Sequence, residues 1–200
     1  MYTLYFLPDA CSLATQVILN ELDQPVEIIH QQSVANFSVI NPVGTVPVLI
    51  DGDVVKTEGA AVILYLLNKH QNALLPTSGE AYERGVENIM FANATMHPAY
   101  SRLFFIAQYI ADESVKQLAF EAATAAINHL WQVVENKLTM QPYLSGNKPS
   151  AADIMLAVYS RWGASFPVQI SLGKNTQKML SAVQALPSFQ LALANEQAHT

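Results

Sequence analysis

A single cysteine, Cys11, stands in the 200 residues, so an internal disulfide is excluded and a reducing, cytoplasmic setting is expected. Charge is also scarce: 13% of residues are charged against 51% hydrophobic. Basic residues are the rarer sign, 10 against 16 acidic, for a net charge of -6. No Lys or Arg precedes Lys56, whereas Asp9, Glu21, Asp23, Glu27, Asp51 and Asp53 all do. Phosphate contacts need clustered Lys and Arg, so the balance argues against nucleic acid. Long hydrophobic runs are missing as well. Polar residues interrupt each apolar stretch well before the roughly 20 residues of a membrane span, and no membrane partner is expected. A basic segment followed by an apolar one is absent at the N-terminus, so no secretory signal is expected. His30, His70, His129 and His199 lack metal-ligand spacing, and no metal site is expected. The apolar surplus then goes to a broad core and a subunit interface.

What is present concentrates in residues 41–66, NPVGTVPVLIDGDVVKTEGAAVILYL. Val46-Pro47 opens the apolar run VPVLI, where a proline suits only a strand's first residue or an edge. Asp51-Gly52 is a two-residue turn signal before Val54 and Val55. Thr57-Glu58-Gly59 then opens a helix carrying Ala61, Ile63, Leu64 and Leu67 at near-helical spacing. A strand edge and a helix start thus lie side by side, and both offer unpaired backbone groups to a small peptide-like anion.

Residues 2–67 read as strand, helix, strand, a short irregular stretch, strand, hairpin, strand and helix. Residues 2–7 form the first strand, a helix follows with Ala14, Val17, Ile18 and Leu22 on one face, and residues 26–30 form the second strand. This is a thioredoxin-like α/β arrangement with a right-handed β-α-β unit. Tyr2 and Tyr5 fall before the end of strand one and read as sheet residues. Strand signals stop after Leu67, and residues 68–79 read as a linker. Helical patterns fill the rest: residues 80–109, 114–140, and shorter runs from Ala151, Thr176 and Ser188. Ser150-Ala151-Ala152-Asp153 spells a capping box whose loss costs on the order of 1 kcal/mol. Pro98 inside a helical pattern is expected to kink or break the helix.

Cys11 falls in the first turn of the first helix, where free N–H groups and the dipole favour a thiolate. The sequence there is Cys-Ser-Leu-Ala, so thioredoxin-type dithiol cycling is excluded. Ser12 is the competing hydroxyl, as helix cap or thiolate donor.

The 41–66 segment closely resembles the glutathione-binding half of the glutathione transferases. NPVGTVPVL matches the family pattern throughout, and TEGAAVILYL departs from it in having Gly59 in place of a serine. YFLPDACSLATQVIL resembles the bacterial beta-class start, while MHPAYSRLFF and KPSAADIMLAVYSRW resemble segments of the helical half. The resemblance implies a thioredoxin-like domain over residues 1–75 and an all-helical domain over residues 80–200 with a hydrophobic-substrate site. It implies a cytoplasmic homodimer without a cofactor, using glutathione as co-substrate against small hydrophobic electrophiles in detoxification. It also implies a cis Val46-Pro47 bond that turns the Val46 backbone toward the cysteinyl part of glutathione, with Glu58 and Gly59 gripping the γ-glutamyl end. Cys11, Ser12 and His97 are the catalytic candidates. Tyr100, Phe104, Trp162 and Phe166 are the candidate apolar wall, the first two at i+3 and i+7 from His97. Pro98 stands where the beta class usually has lysine. A cation for the glycyl carboxylate would come from Lys56, Arg102, Arg161 or a second subunit. Two alternatives to conjugation stand beside it: a glutathione-dependent thiol-disulfide reductase using Cys11 covalently, and a non-catalytic binding module.

Overall fold

The computed structural model describes residues 1–199. Four strands form one sheet in the order β2-β1-β3-β4: β1 (Tyr2–Phe6), β2 (Val26–His30), β3 (Val48–Asp51) and β4 (Val54–Lys56). β1 pairs with β2 in parallel across helix α1 (Ser12–Glu21), and with β3 antiparallel. Side chains alternate across a strand, so Tyr2, Leu4 and Phe6 enter the main core while Tyr5 faces the other way, onto Phe37 and Val48. The main-core face is covered by α1 and α3 (Gly59–Lys69), the opposite face by the short α2 (Phe37–Ile40). This is the thioredoxin-like arrangement read from the sequence. Tyr2 and Tyr5 are sheet residues, with the Tyr2 hydroxyl 2.7 Å from His70 Nε2.

The β3–β4 turn sits one residue later than the Asp51-Gly52 step. Asp51 still pairs with Val54, so Gly52 and Asp53 are the central residues, with Gly52 at φ +59. Asp51 stays in the ladder because its carboxylate is held by the Tyr65 hydroxyl at 2.6 Å and by Lys69.

After α3, residues 70–78 carry no regular element, and the Asn72 side chain pins them through Leu67 O, His70 O and the Leu74 and Leu75 N–H groups. The described residues beyond are helical: α4 (Gly79–Met90), α5 (His97–Tyr109), α6 (Glu113–Lys137), α7 (Ala151–Tyr159), α8 (Lys174–Gln184) and α9 (Pro187–Ala198). Pro98 does not break its helix. Residues 91–96 form a π-helical turn in which His97 N–H bonds Ala92 O, five residues back, and φ and ψ stay helical through Met96 and His97. Proline removes an N–H and presses its ring on the carbonyl four residues back. A widened turn just before it accommodates both effects, so α4 and α5 run on as one rod.

α7 is the buried centre of the helical half, packed on α1 and α8, and its capping box is present. Beside it, Trp131 Nε1 donates to Tyr100 Oη at 2.8 Å, both rings fully buried. Glu135 of α6 caps a different helix: its carboxylate accepts from the backbone and side chains of Asn175 and Thr176, at 2.8–3.1 Å, at the start of α8. Desolvation opposes ionisation there, but the four donors prevail and hold the acid below its usual 4.5. Stability from a depressed carboxylate is present above the unfolded value and fades as pH falls through the folded one. Glu135→Gln should therefore cost most at pH 7, with the difference from wild type shrinking in urea titrations below about pH 4.5. An equal difference at pH 7 and pH 3 would remove the charge from this account. No described helix is long and apolar enough to cross a membrane.

Candidate functional site

A cleft of 630 Å³ lies between the sheet half and the α4–α5 rod. Its floor begins at the turn after β1. Asp9, at φ +57, is fastened there by three groups of the helical half: its N–H donates to Glu196 Oε2 (2.8 Å), its C=O accepts from Trp162 Nε1 (2.7 Å), and its carboxylate pairs with Arg161 Nε (2.8 Å). Left-handed backbone at a non-glycine residue costs on the order of 1–3 kcal/mol and persists where its surroundings fix it. Here both chain halves fix the turn that presents Ala10 and Cys11.

Cys11 is the N-cap residue just before α1, and its Sγ donates to Val46 O at 3.2 Å. The thiolate expected from the helix terminus is not favoured. Loss of water around the sulfur pushes the thiol up from 9.0 to about 11, and the Glu58 charge adds to this, against the lowering effect of the Cys11 and Ser12 N–H groups. Desolvation wins because a thiolate loses several contacts with water and gains only two weak donors. Ser12, the alternative, is fully buried and donates to Leu7 O at 3.3 Å, outside the cleft lining.

Val46, Pro47, Glu58 and Gly59 all line the cleft, and the Val46-Pro47 bond is cis. Glu58, at φ +65, turns the chain from β4 into α3, leaving Gly59 in the first turn. A Cβ at Gly59 would lie 3.4 Å from Asn93 Oδ1 and 3.9 Å from the Pro47 ring. Gln31, Gly44 and Thr45 complete this end, Gln31 Nε2 donating to Gly44 O at 2.7 Å.

The opposite wall is one stripe of the rod: Asn93, His97, Ser101 and Phe104. The His97 ring lies edge-on to Tyr159 and Trp162, each at 5.2 Å, with Nδ1 3.2 Å from Ser101 Oγ. Desolvation lowers its pKa, so the ring is neutral at pH 7. Phe104 meets Trp162 at 5.9 Å and closes the apolar end. Tyr100, predicted on this wall, is turned into the core under Trp131. At about 100° per residue, i+3 falls some 60° off the His97 direction while i+7 falls within about 20°. Phe166 meets Phe104 edge-on at 4.8 Å and is not in the lining.

Lys56, Arg102 and Arg161 do not line the cleft. Lys56 sits over the Tyr65 ring, Arg161 pairs with Asp9, and Arg102 lines a separate groove beside Phe105. The sequence reading missed Asn93, Ser101, Gln31 and Thr45. For Asn93 and Ser101 the signal was available, as i−4 and i+4 from His97. No cluster of three or more His, Cys, Asp or Glu able to hold a metal occurs among the described residues.

Models of the glutathione S-transferase N-terminal and C-terminal domains match residues 12–74 and 94–185. The chain belongs to the glutathione S-transferase family. Among curated relatives, glutathione S-transferase GST-4.5 of Xanthomonas campestris pv. campestris is 30% identical over 98% of this chain and 95% of its own. A glutathione-S-transferase structure from Xylella fastidiosa superposes with a TM-score of 0.89 at 27% identity, covering 98% of this chain and 99% of that one. A bacterial beta class glutathione S-transferase from Sphingomonas chungbukensis gives 0.85 at 25% identity, covering 97% and 98%. In this glutathione S-transferase the cleft is lined from both halves of the chain, with the turn at Asp9 tied to the helical one.

Proposed function

We propose that this cleft binds glutathione and that its sulfur attacks small apolar electrophiles, as part of detoxification by a cytoplasmic homodimer. The observation that carries the proposal is the set of groups that share the cleft. One cleft is lined by the backbone edge at Val46, the Glu58-Gly59 helix start, the Cys11 thiol beside Val46 O, and the Phe104–Trp162 wall. The volume of 630 Å³ is that of an ordinary small-molecule site. Family membership supplies the ligand class, and exposed Phe105, Tyr109 and Leu118 support a dimer.

In this reading Cys11 stays protonated and swings its S–H from Val46 O to the glutathione sulfur, stabilising the thiolate by hydrogen bond. Neutral His97 accepts the glutathione thiol proton. The thiolate pair then forms the C–S bond, and the leaving group departs with the electrons of the bond it breaks. A thiol pushed up to about 11 is a poor covalent nucleophile, which sets disulfide reduction second.

Calorimetry with glutathione at millimolar concentration, an aryl halide conjugation assay and a glutathione disulfide-exchange assay test this together, in wild type and Cys11→Ala. Wild type should bind and conjugate, and Cys11→Ala should keep conjugation within about tenfold, the loss of one hydrogen bond to a charged sulfur. Exchange lost with Cys11→Ala, and no conjugation in either protein, would make it a reductase. No binding at all would make it a binding module for something else.

A further inference from the structure

The geometry points to Asn93 as the residue that reads the α-amino-acid end of the bound tripeptide, filling from the helical half a place where Gly59 offers no side chain. This rests on the glutathione reading above and assigns to that site a residue outside the strand edge and the α3 start.

Three observations converge on it. Asn93 lines the cleft together with Glu58, Gly59 and Pro47. Its Oδ1 lies 3.4 Å from where a Cβ of residue 59 would stand, so a carboxamide covers the space that a side chain there would enter. The carboxamide also makes no hydrogen bond to any described residue, although Ser101 and His97 on the same stripe bond each other. A half-buried amide has two donors and an acceptor to satisfy, and leaving them unmade in a closed complex is costly. The α-amino-acid end of glutathione presents the complement, a carboxylate that accepts and an ammonium that donates. Glu58 supplies only negative charge to that end. A neutral group able to serve both partners avoids adding a second carboxylate beside it. The π-helical turn over residues 91–96 carries Asn93 toward the α3 start while His97, four residues on, keeps its place beside Trp162.

The test measures glutathione affinity by calorimetry, and kcat and KM for aryl halide conjugation, in wild type, Asn93→Ala, the size-matched Asn93→Leu, and the double variant Gly59→Ser/Asn93→Ala. Melting temperature serves as the fold control. Asn93→Ala and Asn93→Leu should each weaken glutathione binding about tenfold, one charge-assisted hydrogen bond, with kcat at saturating glutathione kept. The double variant should recover most of the loss, because a serine hydroxyl then stands in the space that the amide left. Affinity within twofold of wild type in both single variants overturns the assignment, as does a loss that Gly59→Ser leaves unrepaired. Wild type failing to bind glutathione is a separate result, and it removes the parent reading instead.

Discussion

Asp153→Ala is expected to destabilise the protein by about 3 kcal/mol, well beyond an ordinary helix cap. The carboxylate is fully buried and accepts from Ser150 N at 2.8 Å, Ser150 Oγ at 2.6 Å and Leu144 N at 3.0 Å. The first belongs to the capping box of α7, and the second is a further bond between the same two residues. The third ties down the loop before it, a link that the four-residue motif does not contain. Alanine leaves three donors without partners beneath a helix whose nine residues are all buried. Burial raises the acid's pKa, so part of the loss is offset by relief of a charge held away from water. For a chain of this size the fall in Tm should be roughly 6–12 °C. Urea denaturation at pH 7 checks it, and a loss of only 1 kcal/mol would return Asp153 to the role of a simple cap.

Alkylation of Cys11 by iodoacetamide should run about one-hundredth as fast at pH 8 as that of an unperturbed cysteine, because the thiol titrates near 11 instead of 9.0. The rate should climb about tenfold per pH unit through pH 10, since the thiolate fraction follows pH below the pKa. Replacing Glu58 by Gln should steepen nothing but raise the whole curve, as one source of the shift is its charge. A plateau near pH 7 would mean that the helix terminus, not desolvation, governs this sulfur, and the covalent reductase mechanism would regain first place.

The contrast at Cys11 shows where sequence reading stops. Its place at the start of α1 followed from local pattern, and so did the expectation of a lowered pKa. The sign of the shift is set by burial of the sulfur, with the charge of Glu58, 47 positions away in the chain, adding to it; the thiol's acceptor, Val46 O, is 35 positions away. Pro98 is a parallel case. The missing N–H is a local fact, but whether the helix breaks or widens depends on what the rod packs against. The wall residues follow the same logic: Phe104 was legible at i+7, while Tyr100 was claimed by Trp131 across the core.

Alternating apolar residues, the Val46-Pro47 strand start, the hairpin glycine and the capping box lie within short windows, so the sequence alone determined the sheet, the helices and the backbone edge that faces the cleft. Which side chains share the cleft, and in what charge state, was decided by the tertiary structure alone. Desolvation and hydrogen bonding act through space, and here they bring Asp9 to Glu196 and Gly59 to Asn93 across the two halves of the chain, and Cys11 to Val46 across the sheet half.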